Sequence, residues 1–581
     1  VSYDTIINNG RWFDGTGAAS AIRNLGIRDG RVAVVTAEPL DEAGCAQVID
    51  ASGRWVLPGM IDIHTHYDIE VLRGPALAES VRHGITTVLL GSCSLSTVHV
   101  PADVAGDIFG RVEAIPRRHV IDTITAEKSW TSAREYIAAL EALPLGPNIA
   151  AFIGHSDIRA AEMGLDRATR SDVRPTAAEL ASMEAALAEA LDAGFVGMSA
   201  QQLLFDKLDG ETCRSRTLPS TYAKGRERRR LNALLRRSGR VLQAGPDITS
   251  PRSLAAMTTS TLGIGRAKLK TSLLSAADIK ANPFVVRIMG PIARVLNRLG
   301  GDFRWQHLPV PFEVYADGID LVIFEEFGAG AAALHLADQV ERNALMRDEQ
   351  YRRRFRKQYD SKFGMRVWHR DFFDAEIVDC PDGAVIGKSF GQVGRERGGV
   401  HPVDAFLDLV VAHGTKLRWR TTISNHRPEF LDKLGADPGV QIGFSDAGAH
   451  LRNMSFYNFG LRFLRRVNDA QRAGREFITL ERAVHRLTGE LGEWYDIEAG
   501  RLREGDRADI VIIDPAGLDE ELDAYAESPV PQFDNLPRMV NRNDRAVTAV
   551  FVGGERVFGN GQATEALGAR RTGRFLRAGA R

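Results

Sequence analysis

At 581 residues, 44% hydrophobic and 26% charged, the chain has ample apolar material for a large core, which excludes a disordered or fibrous protein. Its 74 Lys and Arg against 75 Asp and Glu leave a formal charge of -1, so no global field draws it to nucleic acid or membrane, and a small-molecule substrate is expected instead. Four scattered cysteines without CxxC spacing argue against a disulfide framework or zinc ribbon and predict a cytoplasmic, unexported protein.

In chain order, the first fifty residues alternate short apolar runs with the turn pairs Asn9-Gly10, Asp14-Gly15 and Asp29-Gly30, which predicts small antiparallel β structure. The far end repeats the style at residues 508–514 and 547–558, so both termini are expected to build one small β-sandwich. Between them the rhythm changes. Residues 176–192 have helical spacing and end at Gly194, and residues 195–199 then read as a strand. Further strands are expected at 84–90, 149–153, 240–243, 269–274 and 440–444. Repeated alternation of helix and strand predicts a parallel sheet, at this length a (β/α)₈ TIM-like barrel. The expected domains are a sandwich part at 1–57, a barrel at 58–490 with insertions near 203–240 and 313–400, and a second sandwich part with tail at 491–581. Basic stretches at 224–230 and 351–357, and a tail carrying Arg570, Arg571, Arg574, Arg577 and Arg581, read as solvated or intersubunit surface, which leaves a homo-oligomer open.

The most informative window is residues 57–66, where Pro58-Gly59 introduces an apolar strand ending in His64-Thr65-His66. Side chains at i and i+2 of a strand share a face, so the two imidazoles can chelate one divalent ion.

At these residues the sequence resembles the amidohydrolase superfamily, and more closely its N-acyl-D-amino-acid deacylase branch. The likeness continues through Gly84-Ile85-Thr86-Thr87-Val88 to Gly91-Ser92-Cys93, then Trp130-Thr131-Ser132, Gly154-His155-Ser156-Asp157, Gly443-Phe444-Ser445-Asp446 and Gly500-Arg501-Leu502. The resemblance implies a zinc centre of one or two ions, with His64, His66, Cys93 and Asp446 as ligands. It also implies amide hydrolysis by metal-activated water, with Asp446 as general base and acid. His155, Arg159 and His450 become candidates for substrate binding, Arg159 through a carboxylate fork. Asp68 has a similar claim on the site.

The sequence departs from the branch at the fifth and sixth strands, where histidine ligands are implied. Residues 239–245 offer Gln243 and residues 268–273 offer Lys270. Three repairs are open: a carboxylated Lys270 bridging metals, His307 as a substitute ligand, or a reduced centre of one metal on His64, His66 and Asp446 with Cys93 at its edge. The last is the simplest. The expected reaction is hydrolysis of an N-acyl (D-)amino acid or related amide. The alternatives are a hydantoinase-like cyclic amide or carbamate hydrolase, and a non-catalytic binding or assembly protein on the same fold.

Overall fold

The computed structural model describes residues 2–247, 250–363 and 366–579; Arg581 of the basic tail lies outside the described residues. Both ends of the chain enter one nine-stranded sheet. Thr5–Trp12, Ala21–Arg28, Arg31–Thr36, Gln47–Asp50 and Trp55–Pro58 come from the N-terminal side; Ile510–Ile513, Val547–Val552, Glu555–Gly559 and Gln562–Ala563 come from the C-terminal side. The two halves join where Ile510–Ile513 pairs antiparallel with Trp55–Pro58. Asp29 and Gly30, at φ 50° and 74°, form the tight turn between the second and third strands. Both central residues at positive φ match the right-handed twist of a hairpin, which is why an Asp-Gly pair signals one.

Pro58-Gly59 then carries the chain into a barrel of eight parallel strands: Met60–Asp62, Ile85–Leu90, Asn148–Gly154, Gly197–Gln201, Val241–Gly245, Lys270–Leu273, Asp302–His307 and Val440–Ile442. Sequential neighbours pair in parallel from the first strand to the eighth. The ring closes through the backbone just past the strands, where Ile63 N donates to Gly443 O at 2.9 Å and His66 N to Ala447 O at 2.7 Å. Such strands are covered on both faces and read as unbroken apolar runs rather than alternating ones; Ile85–Leu90 is buried at every position.

The expected helix at 176–192 is Ala177–Ala193. Thr176 and Glu179 form its capping box, and Gly194, at φ 110°, ends it in a conformation that costs a side chain about 1–2 kcal/mol.

Residues 202–218 form a loop over the barrel mouth, while Gly225–Ser238, inside the expected first insertion, is the barrel helix between strands four and five. The larger insertion lies between strands seven and eight. It contains the antiparallel strands Phe312–Asp317, Ala375–Asp379 and Arg418–Ser424 and so reaches past residue 400. Its helices enclose an aromatic core that includes Phe324, Trp368, Phe372, Phe406 and Trp419. At the opposite end of the barrel, Trp494, Tyr495, Leu576 and Ala578 pack on Ile61, Ile63, Phe152 and Val241. That plug leaves the C-terminal ends of the strands as the accessible mouth. Among the described residues no helix is long and apolar enough to cross a membrane.

Candidate metal centre

His64 and His66 follow the first barrel strand and are fully buried. The backbone there is held from two sides, with Thr65 Oγ1 donating to Leu89 O at 2.7 Å and Asp446 N donating to His64 O at 3.1 Å. Asp62 reinforces the seam: its carboxylate accepts from His64 N at 3.2 Å and from Ser445 Oγ. The loops after strands one, two and eight therefore meet at one point.

Four ligand-type atoms converge there. His64 Nε2 and His66 Nε2 each lie 3.3 Å from Asp446 Oδ1, and Cys93 Sγ lies 3.3 Å from His64 Nε2. The atoms of His64, His66 and Cys93 all fall within 4.8 Å of one another. A zinc ion with nitrogen and oxygen ligands at about 2.0–2.1 Å in tetrahedral array sets those ligands roughly 3.3 Å apart. The spacing fits.

Protonation argues the same way. Burial pushes His64 down to about 4 and His66 to about 3, so both imidazoles are neutral at physiological pH, as metal ligands must be. His64 Nδ1 faces Gln306 Oε1 at 2.8 Å and is assigned its proton from that contact, which leaves the lone pair on Nε2. That lone pair looks at a carboxylate oxygen and a sulfur. His64 Nε2 and the Asp446 carboxylate are acceptors facing one another, an arrangement that a cation between them satisfies. Burial, then the Glu113, Asp446 and Asp206 carboxylates, raise the Cys93 thiol, so its ionisation also calls for a metal.

The backbone here is strained. Cys93, Ser94, Asp446 and His450 have φ of 52°, 70°, 58° and 51°, which non-glycine residues seldom adopt away from functional sites.

The residues that missing histidines would have occupied do other work. Gln243, on strand five, accepts from Cys93 N at 3.1 Å and donates to Ser92 Oγ at 3.1 Å, so it shapes the Cys93 loop. On strand six Ser272 donates to Gln441 Oε1. Lys270 and His307, both candidate ligands, are not brought to the histidine pair. Lys270 begins its strand, at the plugged end, where Nζ donates to Trp494 O at 2.9 Å and lies over the Trp494 ring. His307 contacts Ala276 O through Nδ1 at 2.7 Å. Successive strand residues face opposite ways, so Gln306, not His307, turns toward His64.

Nor do His155 and Arg159 reach the cavity. Both are buried on Glu227, with His155 Nε2 at 2.8 Å from one carboxylate oxygen and the Arg159 guanidinium on the other. Arg159 Nε also donates to Ala168 O at 3.1 Å. The fork is already occupied. Asp68 lies beneath the site, where its carboxylate accepts from Gly91 N at 3.3 Å. His450 does line the cavity, and Glu113 links it to His66, with Oε2 at 3.4 Å from His450 Nε2 and Oε1 at 3.5 Å from His66 Nδ1. Glu113 carries no sequence signal, since it sits in the loop after Ala102–Val112 without a motif. Asp206 and Gln201, which also face the cavity, were equally silent.

The cavity holds about 190 Å³. His64, His66, Cys93, Glu113 and Asp446 form its polar side; Phe312, Leu321 and Ile323 from the insertion, with Phe444 and Met454, form an apolar wall. No Lys or Arg lines it among the described residues. A second hollow of about 220 Å³ shares Val112, Phe205, Leu321, Val322 and His450 with it. Of the cations there, Arg111 pairs with Glu325, Arg214 with Asp209 and Arg342 with Asp320. Lys207 forms no salt bridge among the described residues, although Glu325 and Asp206 both favour its charge.

Comparison with known proteins agrees with this geometry. The model of the amidohydrolase family matches residues 47–249. An uncharacterized protein of Mycobacterium tuberculosis is 56% identical over 100% of this chain and 96% of its own. The N-acyl-D-glutamate deacylase of Alcaligenes xylosoxydans xylosoxydans is 33% identical over 34% of this chain and 36% of its own, a local match. Among solved structures, N-acyl-D-glutamate deacylase from Bordetella bronchiseptica, complexed with zinc and a phosphonate inhibitor, superposes with a TM-score of 0.63 at 22% identity, covering 100% of both chains. D-aminoacylase superposes at 0.62 with 20% identity, over 99% of this chain and 100% of its own. The amidohydrolase family match over residues 47–249 and the local deacylase match support a metal-dependent hydrolase of amide bonds, and the solved structures share its barrel-and-sheet fold.

Proposed function

We propose that the protein hydrolyses the amide of an N-acyl amino acid or a related small molecule at a single zinc ion held by His64, His66, Cys93 and Asp446. The approach of both histidine Nε2 atoms to Asp446 Oδ1 at 3.3 Å, with Cys93 Sγ 3.3 Å from His64 Nε2, carries the reading. One ion is favoured over two because Gln243 and Ser272 stand on strands five and six, and Lys270 points to the far end.

A bound zinc ion would polarise the scissile carbonyl and bring water toward ionisation at neutral pH. Asp446 takes a proton from the water as its oxygen bonds to the carbonyl carbon. The same carboxylate then delivers that proton to the nitrogen as the C–N bond breaks, giving a carboxylic acid and an amine. Glu113 stands between His66 and His450, with its carboxyl oxygens 3.5 and 3.4 Å from their ring nitrogens. The apolar wall contributed by the insertion keeps bulk water from the reacting atoms. With Arg159 committed to Glu227, Lys207, in the neighbouring hollow, is the cation we assign to an anionic end of the substrate. Four free cysteines suit the reducing cytoplasm we assign it to.

The test is to strip the protein of metal, reload it with zinc, and assay N-acyl-D- and N-acyl-L-amino acids, hydantoins and aryl amides alongside metal analysis. About one equivalent of zinc with turnover of an acyclic amide is expected. Less than roughly one tenth of an equivalent, without turnover, would sink the reading. Full zinc loading without turnover would favour a binding role instead.

A further inference from the structure

From Asp278 to Asp302 no acidic residue intervenes, while Lys280, Arg287, Arg294 and Arg298 do. This segment joins barrel strands six and seven and contains the helix Val286–Arg298. One face of the helix is ordinary: Val286, Met289, Ala293 and Leu296 are buried against the barrel. Another is apolar and uncovered. Phe284 is 72% exposed, Ile288 54%, Val295 53% and Leu299 62%. At about 100° per residue Ile288 and Val295 lie within roughly 20° of one another on the helix, and Phe284 and Leu299 stand just beyond its two ends.

Ile264, 79% exposed, stands on a loop anchored at the far end of this helix, where Asp302 N donates to Thr261 Oγ1 at 2.9 Å and Lys268 pairs with Asp302 at 3.1 Å. Single exposed apolar residues mean little, but several set along one helix mark a contact surface. The helical arginines fall together along one flank of the stripe, within about 40°. Among the described residues only Arg294 of the three has a carboxylate partner, Asp437 at 2.9 Å, and Arg287 lies over the Phe284 ring.

We propose that this face is a peripheral contact for an anionic membrane surface: Phe284, Ile288, Val295 and Leu299 seat at the acyl boundary while Arg287 and Arg298 meet lipid headgroups. An apolar stripe edged by arginines is the composition that lies in a bilayer interface. Pairing the stripe with a second copy of itself is disfavoured, because the segment has no acid to answer the arginines brought together. The overall charge of -1 hides this local cationic edge, which is why the expectation from net charge alone is no membrane partner.

Flotation of the zinc-loaded full-length protein with phosphatidylcholine vesicles, with and without phosphatidylglycerol, tests it. The protein should float with the anionic vesicles only, and less as salt is raised. Arg287→Gln/Arg298→Gln should weaken partitioning about thirtyfold, and Ile288→Glu/Val295→Glu should abolish it. Melting temperature and zinc content should not move, since all four side chains are exposed. Failure of the wild type to float, or equal flotation with both vesicles, overturns the proposal. So does a dimer in sedimentation equilibrium that Ile288→Glu/Val295→Glu dissolves without any vesicle binding, which would make the stripe a subunit interface.

Discussion

Cys93 shows how much a single ligand depends on residues around it. Its left-handed backbone is held by Gln243, which accepts its amide proton and also fixes Ser92. Gln243→Ala leaves a buried N–H and hydroxyl short of partners, at a cost of about 1–3 kcal/mol. It should also weaken zinc binding roughly 10–100-fold, as losses of supporting contacts do. Cys93→Ala should lower zinc content and turnover together, read by metal analysis and initial rates; unchanged zinc would return Cys93 to the role of a packed thiol. Glu227 illustrates a different duty. Although burial opposes its charge, the His155 and Arg159 contacts win and hold it at about 2, below its usual 4.5. Its folded value is depressed, so its stabilisation is present above about 4.5 and is lost as pH falls toward 2. Glu227→Gln strands a buried arginine and should cost about 3–5 kcal/mol at neutral pH. In chemical unfolding, the gap between wild type and variant should narrow through that acid window; a gap independent of pH would refute the assignment.

At the level of elements, the loop at residues 202–218 and the insertion divide the work of enclosing the mouth. The insertion supplies apolar wall from a body that has its own aromatic core, while Phe312 ties that wall to the barrel by stacking on Phe456. The loop supplies Asp206 to one hollow and Lys207 to its neighbour. Lys207→Met should raise KM for an N-acyl amino acid about 10–100-fold, the scale of a charge-assisted hydrogen bond. KM for the corresponding neutral methyl ester should stay within about twofold, and kcat should hold for both. Equal losses on the two substrates would show that the lysine acts only through the structure of the loop. The legible and illegible parts separate by element too. The helix Ala177–Ala193 was plain from its helical spacing and Gly194, whereas the antiparallel sheet of the insertion has no local signature of where it docks.

Across the whole molecule, both chain ends serve the side away from the chemistry. The terminal strands make one sheet, and the tail lays Leu576 and Ala578 into the barrel's closed end, with Leu576 N donating to Ile149 O at 2.7 Å. The arginines near that end are matched internally: Arg574 pairs with Glu498, Arg577 with Glu141 and Arg570 with Glu555. Those pairs use up much of the charge that reads in sequence as a basic tail. Arg287 and Arg298 of the helix Val286–Arg298 differ, since among the described residues only Arg294 there has a carboxylate partner, and the membrane prediction belongs to this scale.

By itself, the sequence determined the features that local rules fix. Strand periodicity put His64 and His66 on one face and apolar runs separated by helices implied the parallel barrel, while Cys93 and Asp446 entered through the family resemblance. Tertiary structure decided what depends on the approach of distant strands. It chose Gln306 over His307 because alternate strand residues face opposite ways. It committed Arg159 to Glu227, left Lys207 without a salt bridge among the described residues, and brought the unmarked Glu113 beside His66. A hydrogen bond or ion pair between residues hundreds of positions apart leaves no periodicity in the chain. The histidine pair was legible; the groups that orient it became visible only once the barrel closed.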